Sequence, residues 1–345
     1  MVSMNSDSEI ISPDQIIELA NGFRGARALM SAVELGVFSA LAAGPLGLEA
    51  LRIRIGIDTR GARDFLDSLV ALGLLARDAA GRYSNMPAAD RFLVTGSATY
   101  IGAWFDHFRT HEYPHWQDLT KALQTGKAQF GGSSADLYAG LYGQKKGVEA
   151  FAHAMSGATV LVAGQLAAVF PWRRYRTLID IGTAEGCLPV QIALNHPHIV
   201  GGGFDLPSLQ GPFERYVGCH GLSGRLHFHS GDFLSDRLPS ADVLVFGRVL
   251  HNWDLPTKRV LLAKAHEAVA PGGVLIVYER FIEDDRQSSA AGLLASLNML
   301  VMTSGGFEIS AAECTGLMRE AGFGSLQTHT LGGAQRMVIG FTAKS

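Results

Sequence analysis

The stretch "TLIDIGTAEGCLPVQIAL", residues 177–194, joins an apolar strand pattern to a helical pattern through a short turn. The strand pattern carries Asp180 near its end, and glycines stand only at the two ends of the turn, Gly182 and Gly186. A strand, a tight turn and a helix in this order are typical of nucleotide-binding loops at the carboxyl edge of a parallel sheet. We therefore predict an α/β domain whose cofactor depends on the residues of this turn.

Strand and helix patterns alternate through the rest of the chain, which predicts a doubly wound, mostly parallel sheet. Further strands are expected at "IVGGGFDLP", "RLHFHSGDF", "ADVLVFGRVL" and "VLIVYERFI". Before the last of these we expect a helix over residues 255–273, with Asp254 as its N-cap and Gly272–Gly273 at its end. The final stretch predicts an antiparallel hairpin around Gly332–Gly333.

The 345 residues are enough for more than one domain. We predict a winged-helix-like domain over residues 1–100, because helical patterns there are followed by a short hairpin pattern, "ARDAAGRYSNM". Residues 101–170 are expected to form a helical linker that contributes to a substrate pocket. The α/β domain is expected over residues 171–345.

The second helix of the winged-helix pattern carries charges of both signs. Arg60 and Arg63 are accompanied by Asp58, Asp64 and Asp67, whereas a helix that reads a DNA groove needs a basic face. This pattern favours a helical dimerisation or packing domain. A winged-helix regulator whose α/β domain senses a small molecule is the alternative from a different class.

The composition is that of a soluble globular protein, with 47% hydrophobic and 18% charged residues. A net charge of −3 gives no general attraction to nucleic acid or to an anionic membrane. No signal-peptide pattern is visible, and no apolar run reaches the roughly 18 residues of a membrane span. Three widely spaced cysteines without a CxxC pair fit a reducing cytoplasm. We predict a cytoplasmic protein with no nucleic-acid or membrane partner.

Three histidines repeat every four residues, at His107, His111 and His115. On one helix they would share a face, as the ligands of a metal can, but Pro114 interrupts the helix before the third. No HExxH pattern is present. We predict that no metal is bound and that this segment, which is rich in aromatic residues including Tyr138 and Tyr142, lines an apolar pocket.

The turn after the first strand argues against a phosphate-bearing dinucleotide. Such a site uses a middle glycine so that the backbone can approach a pyrophosphate, and Ala184 stands in that place. Glu185 adds a negative charge beside the position of the phosphate. S-adenosylmethionine has no phosphate and carries a sulfonium and an ammonium cation, which a carboxylate attracts.

Acidic residues close the next two strands, as a nucleoside-binding site requires. Asp205, followed by Leu206, lies about 20 residues beyond the glycine turn, where an acid accepts ribose hydroxyls. Asp232 in "SGDF" is predicted to accept from the adenine amino group, and Phe233 to stack on the ring. The alternative for both aspartates is a helix-capping or turn role.

His251 follows the fourth strand of this series, in "VFGRVLHNWDLP". Glu279 ends a later strand and Glu308 lies in the loop "TSGGFEIS". A histidine flanked by carboxylates is a general-base arrangement, because they fix the tautomer and stabilise the imidazolium. Such a base suits methyl transfer to a phenol, which is mostly protonated at pH 7.

Residues 20–340 resemble the S-adenosylmethionine-dependent small-molecule O-methyltransferases of the caffeic acid and acetylserotonin type. The resemblance is to the bacterial branch of this family that acts on natural products. The motifs that carry the resemblance are "LHNWD", "SGDF", "FDLP", "GGFE" and "APGG". It implies a Rossmann-like, seven-stranded class I methyltransferase domain and an N-terminal winged-helix-like domain that forms a homodimer. It also implies that His251 is the base, with Glu279 and Glu308 beside it.

The predicted cofactor-binding residues combine this resemblance with the pattern of strand ends. They are Asp180, Gly182, Glu185, Asp205, Leu206, Asp232, Phe233 and Arg248. The chain departs from the family at two motifs, with "DIGTAEG" for D-x-G-G-G-x-G and "GGFEIS" for the plant motif GGKERT. The first change is compatible with S-adenosylmethionine because backbone lines that loop. The second argues against plant phenylpropanoid acceptors.

The acceptor pocket is expected between the aromatic segment and "LLASLNMLVMTSGGF", residues 293–307. The pocket candidates are Trp104, Phe105, His107, His111, Asn298 and Met302. We predict a small aromatic acceptor that is methylated on a hydroxyl. Methylation of carbon or nitrogen on an aromatic or keto acid is the alternative within the same fold.

Overall fold

The computed structural model describes residues 12–130, 145–332 and 335–343. They form two compact units, one ending at Arg109 and one beginning at Thr110. Three residues named above, Tyr138, Tyr142 and Gly333, lie outside the described residues.

The N-terminal unit is helical with a small antiparallel sheet of strand order β1-β3-β2. Its helices are α1 (Pro13–Glu34), α2 (Val37–Leu41), α3 (Leu48–Ile55), α4 (Thr59–Ala71), α5 (Pro87–Leu93) and α6 (Gly102–His107). Its strands are β1 (Leu46–Gly47), β2 (Leu75–Arg77) and β3 (Arg82–Asn85). A capping box between Ser12 and Gln15 begins α1, and the predicted hairpin is β2 and β3.

Helix α4 is amphipathic and packs its apolar side, which includes Leu66 and Leu69, into the core of this unit. Asp67 accepts hydrogen bonds from Arg77 at 2.6 Å and from the Tyr83 hydroxyl at 2.8 Å. This helix therefore uses one of its charges to hold the hairpin, which fits the packing interpretation of the domain.

The C-terminal unit contains a seven-stranded sheet of order β6-β5-β4-β7-β8-β10-β9, counted over the described residues. Its strands are β4 (Thr177–Ile181), β5 (Val200–Asp205), β6 (Leu226–Ser230), β7 (Ala241–Gly247), β8 (Val269–Glu279), β9 (Ser325–Thr330) and β10 (Arg336–Phe341). Strands β4 to β8 are parallel, and β9 and β10 form the predicted antiparallel hairpin. The predicted fold class is confirmed.

Helices cover this sheet and carry the loops that lie at its carboxyl edge. They are α7 (Tyr113–Trp116), α8 (Leu119–Thr125), α9 (Lys145–Val169), α10 (Cys187–Asn195), α11 (Gln210–Cys219), α12 (Leu255–Ala268), α13 (Ala290–Met302) and α14 (Ala311–Glu320). The core contains the strand residues Ile181, Leu244 and Val277, each with 0% exposure.

The predicted end of the helix at residues 255–273 was wrong. Helix α12 begins as expected, with the Asp254 side chain accepting from the N–H of Thr257 at 2.9 Å, but it ends at Ala268 and the chain passes directly into β8. Gly273 lies within the strand, where a Cβ would meet the carbonyl oxygen of Asp242 at 2.5 Å. The glycine is needed for close approach to β7 and not for helix termination.

Helix α9 is the exception to the expectation that no segment is long and apolar enough to span a membrane. Residues Gly147–Val169 meet that criterion by length and composition. The helix packs on α10, and 56% of its most apolar window is buried inside the protein. A core helix of a globular domain has the same composition, and α9 packs inside the C-terminal unit in the way that such a helix does.

The segment with three histidines is not a continuous α-helix. Helix α6 ends at His107, a π-helix runs over Phe108–Glu112, and α7 contains Pro114 in its first turn. Among the described residues, the three histidines do not form a group with converging metal-ligand atoms.

Candidate active site

The turn between β4 and α10 has the conformation of a glycine-rich loop although it contains only two glycines. Gly182 and Gly186 have φ values of 76° and 90°, and Ala184 also has a positive φ of 52°. The N–H of Ala184 donates to Oδ2 of Asp205 at 2.9 Å. This hydrogen bond stabilises a left-handed conformation that an alanine adopts only with strain.

Gly182 lies where side chains from two other loops approach the turn. A Cβ at this position would meet Cγ2 of Val249 at 2.8 Å and the Phe233 ring at 3.9 Å. The loops after β4, β6 and β7 therefore converge on one point at the carboxyl edge of the sheet. This is the edge at which open α/β sheets bind ligands.

Asp205 is buried at the end of β5, with 7% exposure. Its Oδ2 accepts from Ala184 and its Oδ1 accepts from the N–H of Leu206 at 2.8 Å. Burial raises the pKa of this carboxyl to about 6. A carboxylate oxygen has two lone pairs, so both oxygens retain acceptor capacity for a pair of hydroxyl groups.

The two other acids of the turn are also buried. Burial raises the pKa of Asp180 to about 8. Glu185 has 8% exposure, and its Oε1 lies 3.4 Å from Nδ1 of His153 on α9. The hydrogen bond to Glu185 raises the pKa of His153.

The loop after β6 is held by its own aspartate. Oδ1 of Asp232 accepts from the N–H of Leu234 at 2.8 Å, which is the turn role expected as the alternative. Phe233 packs edge-to-face against Trp253 with ring centroids 5.8 Å apart. The nucleoside contacts of Asp232 and Phe233 stay predictions.

His251 is buried in a 3₁₀ turn, Leu250–Asn252, between two carboxylates. Its Nδ1 lies 2.8 Å from Oε1 of Glu308 and 3.3 Å from Oε2 of Glu279. The other oxygen of Glu279 accepts from the N–H groups of Leu250 at 3.0 Å and His251 at 3.4 Å. With Nδ1–H donated to Glu308, the remaining ring nitrogen, Nε2, is the basic atom.

The charges of this group shift the pKa values in a direction that suits a base. Burial alone lowers the pKa of His251, but the charges of Glu279 and Glu308 outweigh it and the pKa is raised. Burial raises the pKa of Glu279 to about 7. His251 therefore binds its proton more strongly than an ordinary imidazole.

The sequence did not predict a role for Lys258, which is buried next to the segments of His251 and Glu308 with 0% exposure. Its Nζ donates to the carbonyl oxygens of Trp253 at 2.5 Å and Phe307 at 3.0 Å. Helical spacing was the available signal, because Lys258 shares the buried side of α12 with Leu261, Leu262 and Ala265.

A second polar group was also missed, around Glu112. Asn298 accepts from the indole N–H of Trp116 at 2.7 Å and also hydrogen-bonds Glu112. Burial raises the pKa of Glu112, while the charges of Arg248 and Arg280 lower it, as does that of His251 to a smaller extent. The group therefore lies within electrostatic reach of the histidine. Glu112 is a single glutamate in an aromatic segment, and no sequence motif around it predicts a role in the site.

Arg248 has a φ of 57°, uncommon for a residue with a side chain, and its N–H donates to the carbonyl of Tyr278 at 3.0 Å. Its charge acts on Glu112 and Glu279. Strained residues of this kind cluster at functional sites. The predicted contact of Arg248 with the cofactor stays a prediction.

The remaining pocket candidates lie in both units. In the N-terminal unit the rings of Trp104 and Phe105 stack with centroids 6.4 Å apart, and His107 ends α6. In the C-terminal unit His111 bonds the Thr110 hydroxyl, and Met302 is buried in a small apolar cluster with Ala122 and Val301. Asn298 is joined to the group around Glu112 by hydrogen bonds. The pocket roles of the others stay predictions.

The seven-stranded sheet is that of a class I methyltransferase, and the glycine turn, the acid that ends β5 and the carboxylate-flanked histidine lie at its carboxyl edge. Residues 116–324 match the O-methyltransferase domain and residues 17–95 match the O-methyltransferase dimerisation domain. The chain belongs to the family of S-adenosylmethionine-dependent O-methyltransferases.

Individual relatives come from polyketide biosynthesis and from vertebrates. The chain is 40% identical to the tetracenomycin polyketide synthesis 8-O-methyl transferase of Streptomyces glaucescens, with 98% of this chain and 99% of the relative covered. It is also 40% identical to the N,N-dimethyltransferase OxyT of Streptomyces rimosus, over 89% and 90%. The structure of human N-acetylserotonin methyltransferase with S-adenosylmethionine is similar, with 26% identity, a TM-score of 0.89 and coverage of 98% and 99%.

The residues of this chain fit S-adenosylmethionine. Backbone alone lines the turn at Gly182, because a Cβ there would meet Cγ2 of Val249 at 2.8 Å. Asp205 offers two carboxylate oxygens, each already fixed by one backbone N–H. A turn lined by backbone beside a fixed carboxylate suits a nucleoside with a ribose diol, and the turn contains no phosphate-binding middle glycine.

Proposed function

We propose that this O-methyltransferase moves a methyl group to a phenolic hydroxyl of an aromatic polyketide-type acceptor, with Nε2 of His251 as the general base. One arrangement carries the proposal: two buried carboxylates hold the Nδ1 edge of the ring. A phenol has a pKa near 10 and is a poor nucleophile while protonated. A positioned histidine that accepts the proton as the new bond forms removes this obstacle.

Glu308 and Glu279 have different parts in the proposed mechanism. Glu308 accepts the Nδ1 hydrogen and fixes the tautomer, and Glu279 holds the backbone of the turn that carries His251. Together they stabilise the imidazolium that forms. S-adenosylmethionine, when bound, supplies an electrophilic methyl group on a sulfonium. The further contribution of the chain is orientation, which lowers the barrier of an in-line displacement.

The cofactor is proposed to lie along the loops after β4, β5 and β6. Asp205 would accept the ribose hydroxyls, Asp232 the adenine amino group, and Phe233 would stack on the base. The backbone at Gly182 would lie against the methionine part. Four further residues stay predicted contacts: Asp180, Glu185, Leu206 and Arg248.

The acceptor class is proposed from the relatives and from the polar group around Glu112. By their names, one relative acts in tetracenomycin polyketide synthesis and another, 31% identical, on 3-hydroxy-5-methyl-1-naphthoate. The naphthoate is a fused aromatic compound that carries a hydroxyl and a carboxylate. The hydrogen-bonded group of Glu112, Asn298 and Trp116 offers such substituents polar partners close to His251.

Methylation of an amine is the second candidate, because OxyT is named an N,N-dimethyltransferase and has the same 40% identity to this chain as the O-methyl transferase, over a shorter match. An amine nucleophile uses its own lone pair, so the base is less important for it than for a phenol. A winged-helix regulator is less well supported, since the N-terminal unit matches a dimerisation domain. That match supports a homodimer, and we propose a cytoplasmic location without nucleic-acid or membrane partners.

The test is an assay with methyl-labelled S-adenosylmethionine and three acceptor classes: hydroxynaphthoates, hydroxylated tetracyclic polyketides and aromatic amines. We expect methylation of oxygen, and we expect His251→Ala to lower kcat/KM by about 10²–10⁴-fold. His329→Ala, at an exposed histidine on β9, is the matched control. A His251→Ala variant as active as this control would contradict the base role, and turnover of amines alone would favour the second candidate.

A further inference from the structure

Lys258 is the feature of the active site that the proposed mechanism leaves unused. A lysine with 0% exposure is unusual, because burial of an ammonium costs several kcal/mol unless it is compensated. Compensation is present here in the form of two carbonyl oxygens and an aromatic ring. The Nζ atom lies 2.5 Å from the oxygen of Trp253, 3.0 Å from that of Phe307, and 3.6 Å from the centroid of the Phe307 ring.

The two carbonyls belong to the two segments that present the base and its carboxylate. Trp253 lies two residues after His251, and Phe307 immediately precedes Glu308. A third contact connects the same segments, since a Cβ at Gly306 would meet the carbonyl oxygen of His251 at 2.5 Å. The ammonium therefore joins segments whose separation sets the distance between His251 and Glu308.

The charge of Lys258 also acts on the carboxylates. The titratable and charged groups that act on it are Glu279 at the end of β8, Glu308, Asp254 at the start of its own helix, and Cys314 on α14. Burial lowers the pKa of Lys258 to about 8, and the acidic neighbours raise it. The ammonium is thus mostly charged at neutral pH. By reciprocity, the ammonium favours the ionised form of Glu279.

We propose that Lys258 is a positioning residue for the base: its buried ammonium joins the segments of His251 and Glu308 and offsets the negative charge of Glu279 and Glu308. Without this cation, two carboxylates would lie in a buried site beside a neutral imidazole. The group would then bind protons more tightly, whichever of its members holds them. Lys258 keeps the base available near neutral pH, and this inference rests on the base role of His251.

The test is the pH dependence of kcat/KM for Lys258→Met, a change that keeps the length of the side chain and removes its charge. We expect the acid limb of the profile to move to higher pH by about one unit, so that activity on the acid limb falls about tenfold while activity at high pH recovers. Arg259→Gln is the matched control, because it removes a positive charge from the exposed face of the same helix. The control is expected to keep the wild-type profile.

A purely structural lysine would lower activity at every pH and leave the limb in place, and that result would overturn the proposal. The charge-balanced variant Lys258→Met/Glu308→Gln is expected to move the limb back, although its activity is low throughout. If Lys258→Met fails to fold and the double variant folds, the charge offset is supported. If both fail to fold, the role is structural and the proposal is overturned. His251→Ala, assayed in parallel, separates this outcome from failure of the proposed base.

Discussion

Glu308 follows His251 by 57 residues in the chain, and its Oε1 lies 2.8 Å from Nδ1 of the histidine. The hydrogen bond joins the 3₁₀ turn after β7 to the loop before α14. Both partners are buried, so water does not compete for the bond. The orientation of the proposed base thus depends on a contact between two distant parts of the chain.

Glu308→Gln is expected to lower kcat/KM on the order of 10–100-fold, because the neutral amide stabilises the imidazolium less. It removes a negative charge beside the base, so the acid limb of the profile should move to lower pH. The measurement is kcat/KM against pH with a phenolic acceptor. Glu320→Gln, at an exposed carboxylate of α14, serves as the control. A profile unchanged from the wild type would show that Glu308 does not act on the base.

The wild-type profile should itself fall on the acid side at a pH above 6.5, the usual pKa of histidine. The sign follows from the carboxylates: they raise the pKa of His251, and the reaction needs the unprotonated ring, so activity is lost as pH falls through that raised value. The same proton stabilises the fold at low pH and this contribution is lost as pH rises through the raised pKa. Steady-state rates between pH 5 and 9 measure the limb, and a limb at or below 6 would contradict the assignment.

Asp205→Asn is expected to weaken S-adenosylhomocysteine binding about 10–100-fold, the effect of losing hydrogen bonds to a charged group. The carboxylate also holds Ala184 in its left-handed conformation, so the turn should loosen as well. Calorimetric titration gives the affinity, and Glu214→Gln on the surface of α11 is the control. Unchanged affinity would remove Asp205 from the cofactor site.

Asp180→Asn is expected to stabilise the protein, since burial raises the pKa of this carboxyl to about 8. Below its unfolded pKa near 4 the acid is neutral in both states and costs nothing; the cost grows as pH rises toward 8. The variant should therefore gain several degrees in Tm at pH 8, and the gain should be smaller at pH 6. Thermal unfolding of the ligand-free protein at both pH values measures it. An equal or negative gain would mean that the ionised form is stabilised by the fold.

Chelation should leave the activity unchanged. The atoms of His251, Glu279 and Glu308 lie within 4.8 Å of one another, as ligands of a metal would. The direct hydrogen bond at 2.8 Å between Nδ1 and Glu308 already uses those two ligand atoms, and a buried ammonium lies behind them. Dialysis against EDTA followed by assay checks this, and loss of activity restored by a divalent cation would identify a metal enzyme instead.

The sequence predicted the sheet and the order of the residues along its edge because these depend on local patterns. Three apolar strands are each visible in a short window, with Asp180 near the end of the first, Asp205 at the end of the second and His251 just after the third, and parallel strands bring these ends together. The end of α12 was predicted wrongly because Gly272–Gly273 are a common helix stop. Here they serve close packing between strands, which depends on a partner distant in sequence.

The residues missed at the site share another property. Lys258 and Glu112 are polar side chains buried by tertiary contacts, whereas their residue types are mostly exposed. Nothing adjacent to them in the chain identifies their partners, which are Trp253 and Phe307 in one case and Asn298 in the other. Local sequence patterns predict at which strand end a catalytic or binding side chain lies. They do not predict which buried charged side chain from another part of the fold lies next to it.

The position of β10 has a consequence for the synthesis of the protein. Strand β8, which ends at Glu279, has β7 on one side and β10 on the other, with Arg336 opposite Glu279. A ribosome has to release residues 336–341 before the strand that carries this glutamate gains its second neighbour. The nascent chain can form the turn between β4 and α10 much earlier, so the half of the site proposed to bind the nucleoside can be complete before the half proposed to accept the proton.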